Sequence, residues 1–320
     1  MNYAKAIYSR WGENPVVQWS IRKISNIQRE LIFAGTSLEP VHFMGKGIAL
    51  GQATHPDLLW DNKTGRLLMT VSNYPYGIER LEDSFILSSQ DGIHFSNILN
   101  GAVQAYGGHG DSHFSDGELL FDGKSYSLYY RFCERDHEKK DIIFLSTSLD
   151  GNKWSSGKEI IVANRDGVLS PALLFENGRY IMYYVALTES GSKLCRCDSA
   201  SNDFQDFFDH RRELKIENLP EGNMLWHLNV AADDEKLHGL FTLSTGHGGA
   251  GARLYYAESQ MDSDTWIIKQ EIDPLVKDTY IKKVYRSALI KIENTWYLYQ
   301  AICTKNDCWY IARRKFSEIC

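Results

Sequence analysis

A chain of 320 residues with 43% hydrophobic and 12% aromatic side chains can bury a large core, as one big β-domain or two ordinary domains. Its formal net charge of −6, with no Lys/Arg-rich stripe, argues against a nucleic-acid partner. No apolar run approaches the roughly 18 residues of a membrane span, and the N-terminus lacks the apolar centre of a signal peptide; a cytoplasmic location away from membranes is expected.

Residues 1–52 carry the weakest pattern. Ile21, Ile24, Ile27 and Leu31 recur at helical intervals, but two strands fit the same stretch. From His55 onward a repeat takes over. Its unit is a polar start, a short apolar strand, a turn, and a second strand rich in aromatic and β-branched residues. The first copy runs His55-Pro-Asp-Leu-Leu-Trp60, the turn Asp61 to Gly65, then Arg66 to Val71. The second is His113 to Tyr130, turning at Asp122-Gly123, where glycine accepts the positive φ of a tight hairpin. Further copies start near residues 170, 227 and 287, so the period is roughly 55–60 residues, that of a propeller blade rather than a helical repeat.

A third strand and a turn follow each hairpin. Phe85 to Phe95 and Ile143 to Trp154 share the string Ser-x-Asp-Gly-x-x-aromatic, which reads as strand, turn and the start of a fourth strand. After the fifth copy the chain ends one strand short. The N-terminal segment is expected to supply it, which joins the chain ends and removes open edges. The fold class expected is therefore all-β: a single five-bladed β-propeller over residues 1–320, with 1–52 closing the last blade. Of the six cysteines, Cys195 and Cys197 lie on one face of a strand and read as buried thiols, and Cys303 and Cys308 flank a short turn.

In a propeller the first strand of each blade lies nearest the axis, and its starting end shares a face with the loop between strands two and three. That places His55, Asp57, Asp116, Glu118, Ser170, His227, Asn229 and Arg286 around one mouth of the channel. Aligned on the apolar runs, Asp57, Glu118, Ala172 and Asn229 are equivalent, as are His55, Asp116, Ser170 and His227. The loops add Tyr74, Tyr76 and Arg80, then Arg131, and His247 in the glycine-rich run 246–251; His113 and Trp226 stand beside the second and fourth copies. Aromatic faces for sugar C–H groups, with Arg, carboxylates and His for hydroxyls, suit a carbohydrate. His55 and His227 are read as hydrogen-bonding residues of the mouth rather than as ligands of a shared metal, and no cofactor is expected. The run 246–251 lacks the Lys-Ser/Thr of a phosphate loop and is read as a lid or tight loop.

The blade strings His55-Pro-Asp57, Asn177-Gly-Arg-Tyr-Ile-Met-Tyr-Tyr184 and Ser148-Leu-Asp-Gly-Asn-Lys-Trp154 resemble those of the five-bladed propeller glycosidases, glycoside hydrolase family 43 and relatives such as families 32 and 130. The likeness spans roughly residues 53–315. It implies glycoside hydrolysis by an aspartate base in the first blade, a pKa-tuning aspartate in the second and a glutamate acid in the third. His55-Pro-Asp57 resembles the string that carries the tuning aspartate, whereas Leu169-Ser-Pro-Ala172 has no glutamate where the acid belongs.

Glycoside hydrolysis needs an acid for the leaving oxygen and a second carboxylate about 6.5–9.5 Å away to activate water, or about 5–5.5 Å away to attack. Asp57 is expected to be the base and Glu118 the acid, its pKa raised by Asp116. A structural duty, accepting backbone N–H bonds between blades, is the competing reading of Asp57 and Asp116. An oligo- or polysaccharide is the expected partner. Two alternatives accompany hydrolysis: a glycan-binding propeller without the acid, and a phosphorylase- or glycosyltransferase-like activity in which Arg131, Arg135 and Arg286 receive phosphate or a nucleotide sugar.

Overall fold

Alternating apolar residues and acid-glycine turns build the observed architecture, which is mostly β. A computed structural model describes residues 3–12, 14–44, 48–98, 112–135, 140–163, 167–189 and 191–317. His109 and His137, which the sequence puts in the polar loops on either side of the second copy, lie outside the described residues. The chain opens with helices α1 (Tyr3–Trp11) and α2 (Pro15–Phe33), the second started by Asn14, whose side chain accepts from Val16 and Val17 N–H, and by a proline at its first position. The helical spacing of Ile21 to Leu31 thus prevails over the two-strand reading. Among the described residues, no helix is long and apolar enough to cross a membrane.

Two short strands follow, β1 (Glu39–Pro40) and β2 (His42–Met44). The remaining strands form antiparallel meanders. The first holds β3 (Ala53–Asp61), β4 (Arg66–Asn73), β5 (Asp83–Ser89) and β6 (His94–Asn97). The second holds β7 (His113–Phe121), β8 (Tyr126–Cys133), β9 (Asp141–Ser148) and β10 (Lys158–Ala163). The third comprises β11 (Gly167–Glu176), β12 (Arg179–Thr188), β13 (Gly191–Ser199) and β14 (Arg211–Glu217). The fourth comprises β15 (Met224–Ala232), β16 (Leu237–Ser244), β17 (Arg253–Ser259) and β18 (Thr265–Glu271). The last has β19 (Ile281–Val284) and β20 (Ala288–Ile292), both paired with β21 (Thr295–Thr304), and then β22 (Trp309–Lys315).

A three-residue parallel pairing of β14 with β18 joins the third and fourth meanders into one eight-stranded sheet. The N-terminal segment works on two meanders at once: β1 pairs antiparallel with β22, while β2 pairs parallel with β6. This covers the outer edges of the last and first meanders and fastens the two ends of the ring. The innermost strands touch in a closed cycle, β3 to β7 to β11 to β15 to β20 and back to β3, which is the β-propeller arrangement.

The repeated strings produce repeated geometry. In the first meander the Asp91 carboxylate accepts from Ile93 and His94 N–H at 2.8 Å each, and Ser89 Oγ accepts from Gly92 N–H at 2.9 Å. In the second, Asp150 accepts from Asn152 and Lys153 at 2.8 Å, and Ser148 from Gly151 at 2.9 Å. At the Asp122-Gly123 hairpin, Gly123 takes φ +89° while Asp122 accepts from Lys124 and Ser125.

No backbone ladder links one innermost strand to the next among the described residues, so side chains tie them. Asp57 accepts from Leu119 N–H at 2.8 Å, Glu118 from Leu173 N–H at 2.9 Å, and Asn229 from Leu289 N–H at 3.0 Å. The third copy has Ala172 at this position, and Ser170 bonds both the N–H and the C=O of Leu228 instead. Asn229 also donates across the axis to Asp57 at 3.0 Å. At the centre lies Arg286, wholly buried. It donates to the carbonyls of Gly117, Pro171 and Leu228 and forms a 2.7 Å ion pair with Glu118.

Removing one partner of such a buried, hydrogen-bonded charge strands the others. Arg286→Met is expected to lower the unfolding free energy by about 3–5 kcal/mol. Asp57→Asn still offers an oxygen to Leu119 and is expected to cost less, about 1 kcal/mol. Urea-induced unfolding monitored by tryptophan fluorescence ranks the two; a smaller effect for Arg286→Met removes it from the centre of the network.

Candidate functional site

The innermost strands begin with a repeated irregularity. The register of β3 against β4 shifts between Thr54 and Asp57, that of β7 against β8 between Ser115 and Glu118, and that of β11 against β12 between Leu169 and Ala172. Each bulge carries one non-glycine residue in the left-handed region: His55 at φ 51°, Asp116 at 51° and Ser170 at 54°. Such a residue costs on the order of 1–3 kcal/mol and persists only where the surroundings hold it. β15 carries its shift one residue earlier, between Leu225 and His227. The outcome turns the three equivalent residues His55, Asp116 and His227 toward one cluster.

That cluster is tight. His55, Asp116 and His227 each present one ligand-type atom, all within 4.8 Å of one another, and all three residues are buried. The imidazole rings of His55 and His227 lie 4.8 Å apart between centroids, and Tyr285 packs on both. His227 Nδ1 sits 3.2 Å from Asp116 Oδ1, yet neither atom makes a well-aligned hydrogen bond. His55 Nε2 and His227 Nε2 are also without a hydrogen-bond partner. His55 Nδ1 is held from behind by Ser72 Oγ and Glu82 Oε1, each at 3.1 Å. Asp116 Oδ2 receives Ser115 Oγ at 3.0 Å and Arg131 at 3.4 Å. Arg131 is itself anchored to Asp141 at 2.8 Å.

Charge follows from these contacts. Burial opposes ionisation of Asp116, but the imidazoles of His55 and His227 and the guanidinium of Arg131 outweigh it and hold the carboxyl well below the ordinary range. Burial lowers His227 to about 3 despite the pull of Asp116, so its ring is neutral at physiological pH. A carboxylate beside a neutral imidazole, whose unprotonated nitrogen keeps its lone pair, is a donor set for a divalent cation. The cluster opens into a cavity of about 230 Å³, whose walls include Tyr74, His113, Arg131, Trp226, Lys283 and Tyr285.

The expected base and acid stand elsewhere. Asp57 and Glu118 lie deeper along the axis, both buried, facing a second cavity of about 320 Å³ toward the far ends of the inner strands. The two carboxyls act directly on each other's ionisation. Burial pushes Asp57 up to about 6, against the pull of Arg286 and Leu119 N–H. Burial and then Asp57 raise Glu118 well above its ordinary range. Each carboxyl also carries a backbone N–H of the next meander.

The remaining expected residues divide between places. Tyr74, His113, Arg131, Trp226 and His227 line the mouth cavity with His55. Trp226 donates from Nε1 to the Tyr285 hydroxyl at 2.6 Å, and the exposed His247 meets Trp226 edge-on at 6.4 Å. Tyr76 and Arg80 are turned away from the mouth. Tyr76 packs against Tyr8 of α1, and Arg80 donates to the carbonyl of Ser9, because the Pro75–Gly77 turn redirects their loop under the helices. Ser170 points into the fourth meander, bonded to the backbone of Leu228. Arg286 lies beneath the mouth, held by three backbone carbonyls and by Glu118, with Asp116 Oδ1 at 3.8 Å. The glycine-rich run closes on itself as a tight loop through Thr245 N–H to the Ala250 carbonyl. Sequence reasoning passed over Glu82 and Tyr285. Glu82 lies two residues beyond the aromatic loop then singled out, and Tyr285 immediately precedes Arg286, so both were within reach of the same pattern.

No protein-family model matches the sequence, and no protein of curated function matches it. Solved structures do. An N-acetylgalactosamine deacetylase from F. plautii, in complex with blood group B trisaccharide, is 14% identical, with 89% of this chain and 95% of that one covered at a TM-score of 0.70. A thermostable family-43 glycoside hydrolase is 13% identical over 88% of this chain and 92% of its own, at 0.64. A family-43 enzyme from Xanthomonas citri complexed with xylose is 12% identical over 90% and 92%, at 0.60. At these identities the likeness is one of fold: the chain shares the β-propeller of family-43 glycoside hydrolases and of a sugar deacetylase.

Proposed function

We propose that this protein is a carbohydrate-active hydrolase whose mouth cluster His55–Asp116–His227 holds a divalent metal ion and that it removes an acyl group from an amino sugar. The observation that carries this reading is the set of unpartnered, buried ligand atoms converging within 4.8 Å at the base of an open cavity. Buried polar atoms without partners are costly, and an ion bound by one atom from each of the three residues lowers that cost. A bound ion supplies a water of lowered pKa and polarises a carbonyl oxygen.

The protein's own groups support that chemistry. Ser72 Oγ hydrogen-bonds His55 Nδ1 and the Glu82 carboxylate stands 3.1 Å from the same nitrogen, leaving Nε2 to face the ion with an outer-shell carboxylate behind the ring. Arg131 and Ser115 hold the other oxygen of Asp116. Oδ1, which has His227 Nδ1 at 3.2 Å and the Arg286 guanidinium at 3.8 Å but no aligned hydrogen bond, is the oxygen turned to the ion. Trp226, Tyr285 and Tyr74 supply apolar walls for a sugar face. The cavity is smaller than the roughly 300–1,000 Å³ of drug-sized sites, which suits a single sugar residue with its acyl group.

The second reading is glycoside hydrolysis, favoured by the family-43 neighbours and by the carboxylates Asp116 and Glu82 at the same mouth. It is the weaker one because the carboxyl with the strongly raised pKa, Glu118, lies under the mouth in an ion pair with Arg286.

Metal analysis of the purified protein is expected to find about one divalent ion per chain, lost in Asp116→Ala and His227→Ala. Acetate release from a panel of N-acetylhexosamines is expected to stop with a chelator and return with added Zn²⁺ or Mn²⁺. Chelator-insensitive release of reducing sugar from aryl glycosides, without acetate release, overturns the proposal in favour of the second reading. Glu82→Gln is expected to weaken metal affinity about 10–100-fold with the fold intact, measured by competition with a chromogenic chelator.

A further inference from the structure

Eight of the thirteen large apolar side chains that stand exposed among the described residues lie in α1 and α2. A soluble surface scatters such residues, whereas a concentration of them marks a contact face. On α2 they form a stripe. Val16, Ile24, Ile27 and Leu31 are 70%, 59%, 62% and 68% exposed, and Ser20 fills the gap in the series. The spacing 4, 4, 3, 4 is that of a helix–helix seam, and it lies opposite the face (Ile21, Ser25, Arg29, Ile32) that packs on the propeller. Tyr3 of α1 extends the stripe into a groove of about 620 Å³ floored by Ile24, Ile27 and Leu31.

Charge selects the occupant. Lys23 and Glu30 are both exposed, flank the stripe on one side, and are seven residues apart, so they hold the same heptad position with opposite signs. An antiparallel copy of α2, related by a two-fold axis, sets Lys23 against Glu30 in both directions. The same register places Ile24 on Ile27 and drops Leu31 over the small Ser20. A parallel copy provides neither match. We propose that α2 is the seam of a homodimer, two copies of this chain packing their second helices antiparallel about a two-fold axis. The contact is isologous, so each favourable pair occurs twice.

Charge exchange tests it, because both positions are exposed; within its own chain Glu30 also pairs with Arg29 at 3.0 Å and Lys23 lies over the Trp19 ring, so the fold of each variant is checked alongside. Sedimentation equilibrium of the wild-type chain is expected to show a dimer. Lys23→Glu and Glu30→Lys each place like charges together twice and are expected to weaken dimerisation at least about tenfold, or roughly 1.4 kcal/mol. The double variant K23E/E30K restores opposite pairs and is expected to return to within about threefold of wild type. Circular dichroism confirms that each variant is folded. A wild-type chain that is monomeric at about 100 μM overturns the proposal, since that corresponds to only about −5.5 kcal/mol of association. Single exchanges without effect, or a double exchange that fails to restore the dimer, overturn the antiparallel pairing. A monomer that binds phosphatidylserine vesicles through Ile24 and Ile27 assigns the face to a membrane surface instead.

Discussion

The innermost strands of this propeller are close neighbours with no ladder between them, and everything else depends on how that seam is held. The chain solves it with a side chain at one repeated position, which accepts the backbone N–H of the following strand. Asp57, Glu118 and Asn229 do this in turn, and Arg286 gathers the carbonyls left over at the axis. Desolvating these groups is expensive, and the expense is met because nearly every lone pair and N–H in the ring finds a partner. Asp57 and Glu118 thus carry an architectural duty in this ring.

Two residues upstream the same repeat is put to another use. The bulges that start β3 and β7 turn His55 and Asp116 into the left-handed region, and the bulge of β15 brings His227 alongside. The rigid ring beneath holds these strained positions, and side chains such as Glu82 and Arg131 fix their orientation from behind. Here aligned hydrogen bonds run out: ring nitrogens of His55 and His227 and Oδ1 of Asp116 are buried without one. A network that is satisfied at one layer and deficient at the next is what separates scaffold from site in this molecule.

Much of the fold was legible in the chain because it repeats. The Ser-x-Asp-Gly turns are read directly from their residues, since Asp91 and Asp150 make the same bonds to the same backbone positions. The place of the mouth followed from the alignment of His55, Asp116 and His227. The role of its carboxylates did not. The alignment separates the Asp57–Glu118 layer from the His55–Asp116 layer two residues away. Which layer meets backbone N–H groups of the next strand, and which does not, depends on contacts between meanders, which no local pattern carries. Tyr76 and Arg80 were misplaced for a related reason: their loop bends at Pro75–Gly77 toward two helices whose packing is non-local.

Sequence alone determined the repeat, its turns, the all-β class and the ring of equivalent polar positions, because each depends on spacing within a few residues. Tertiary structure alone decided which of those positions were consumed by the seam and which were left open. Burial, the meeting of strands about 60 residues apart, and the count of remaining partners are properties of the closed ring. They turned Asp57 and Glu118 into ties and left His55, Asp116 and His227 with unspent lone pairs around a common point.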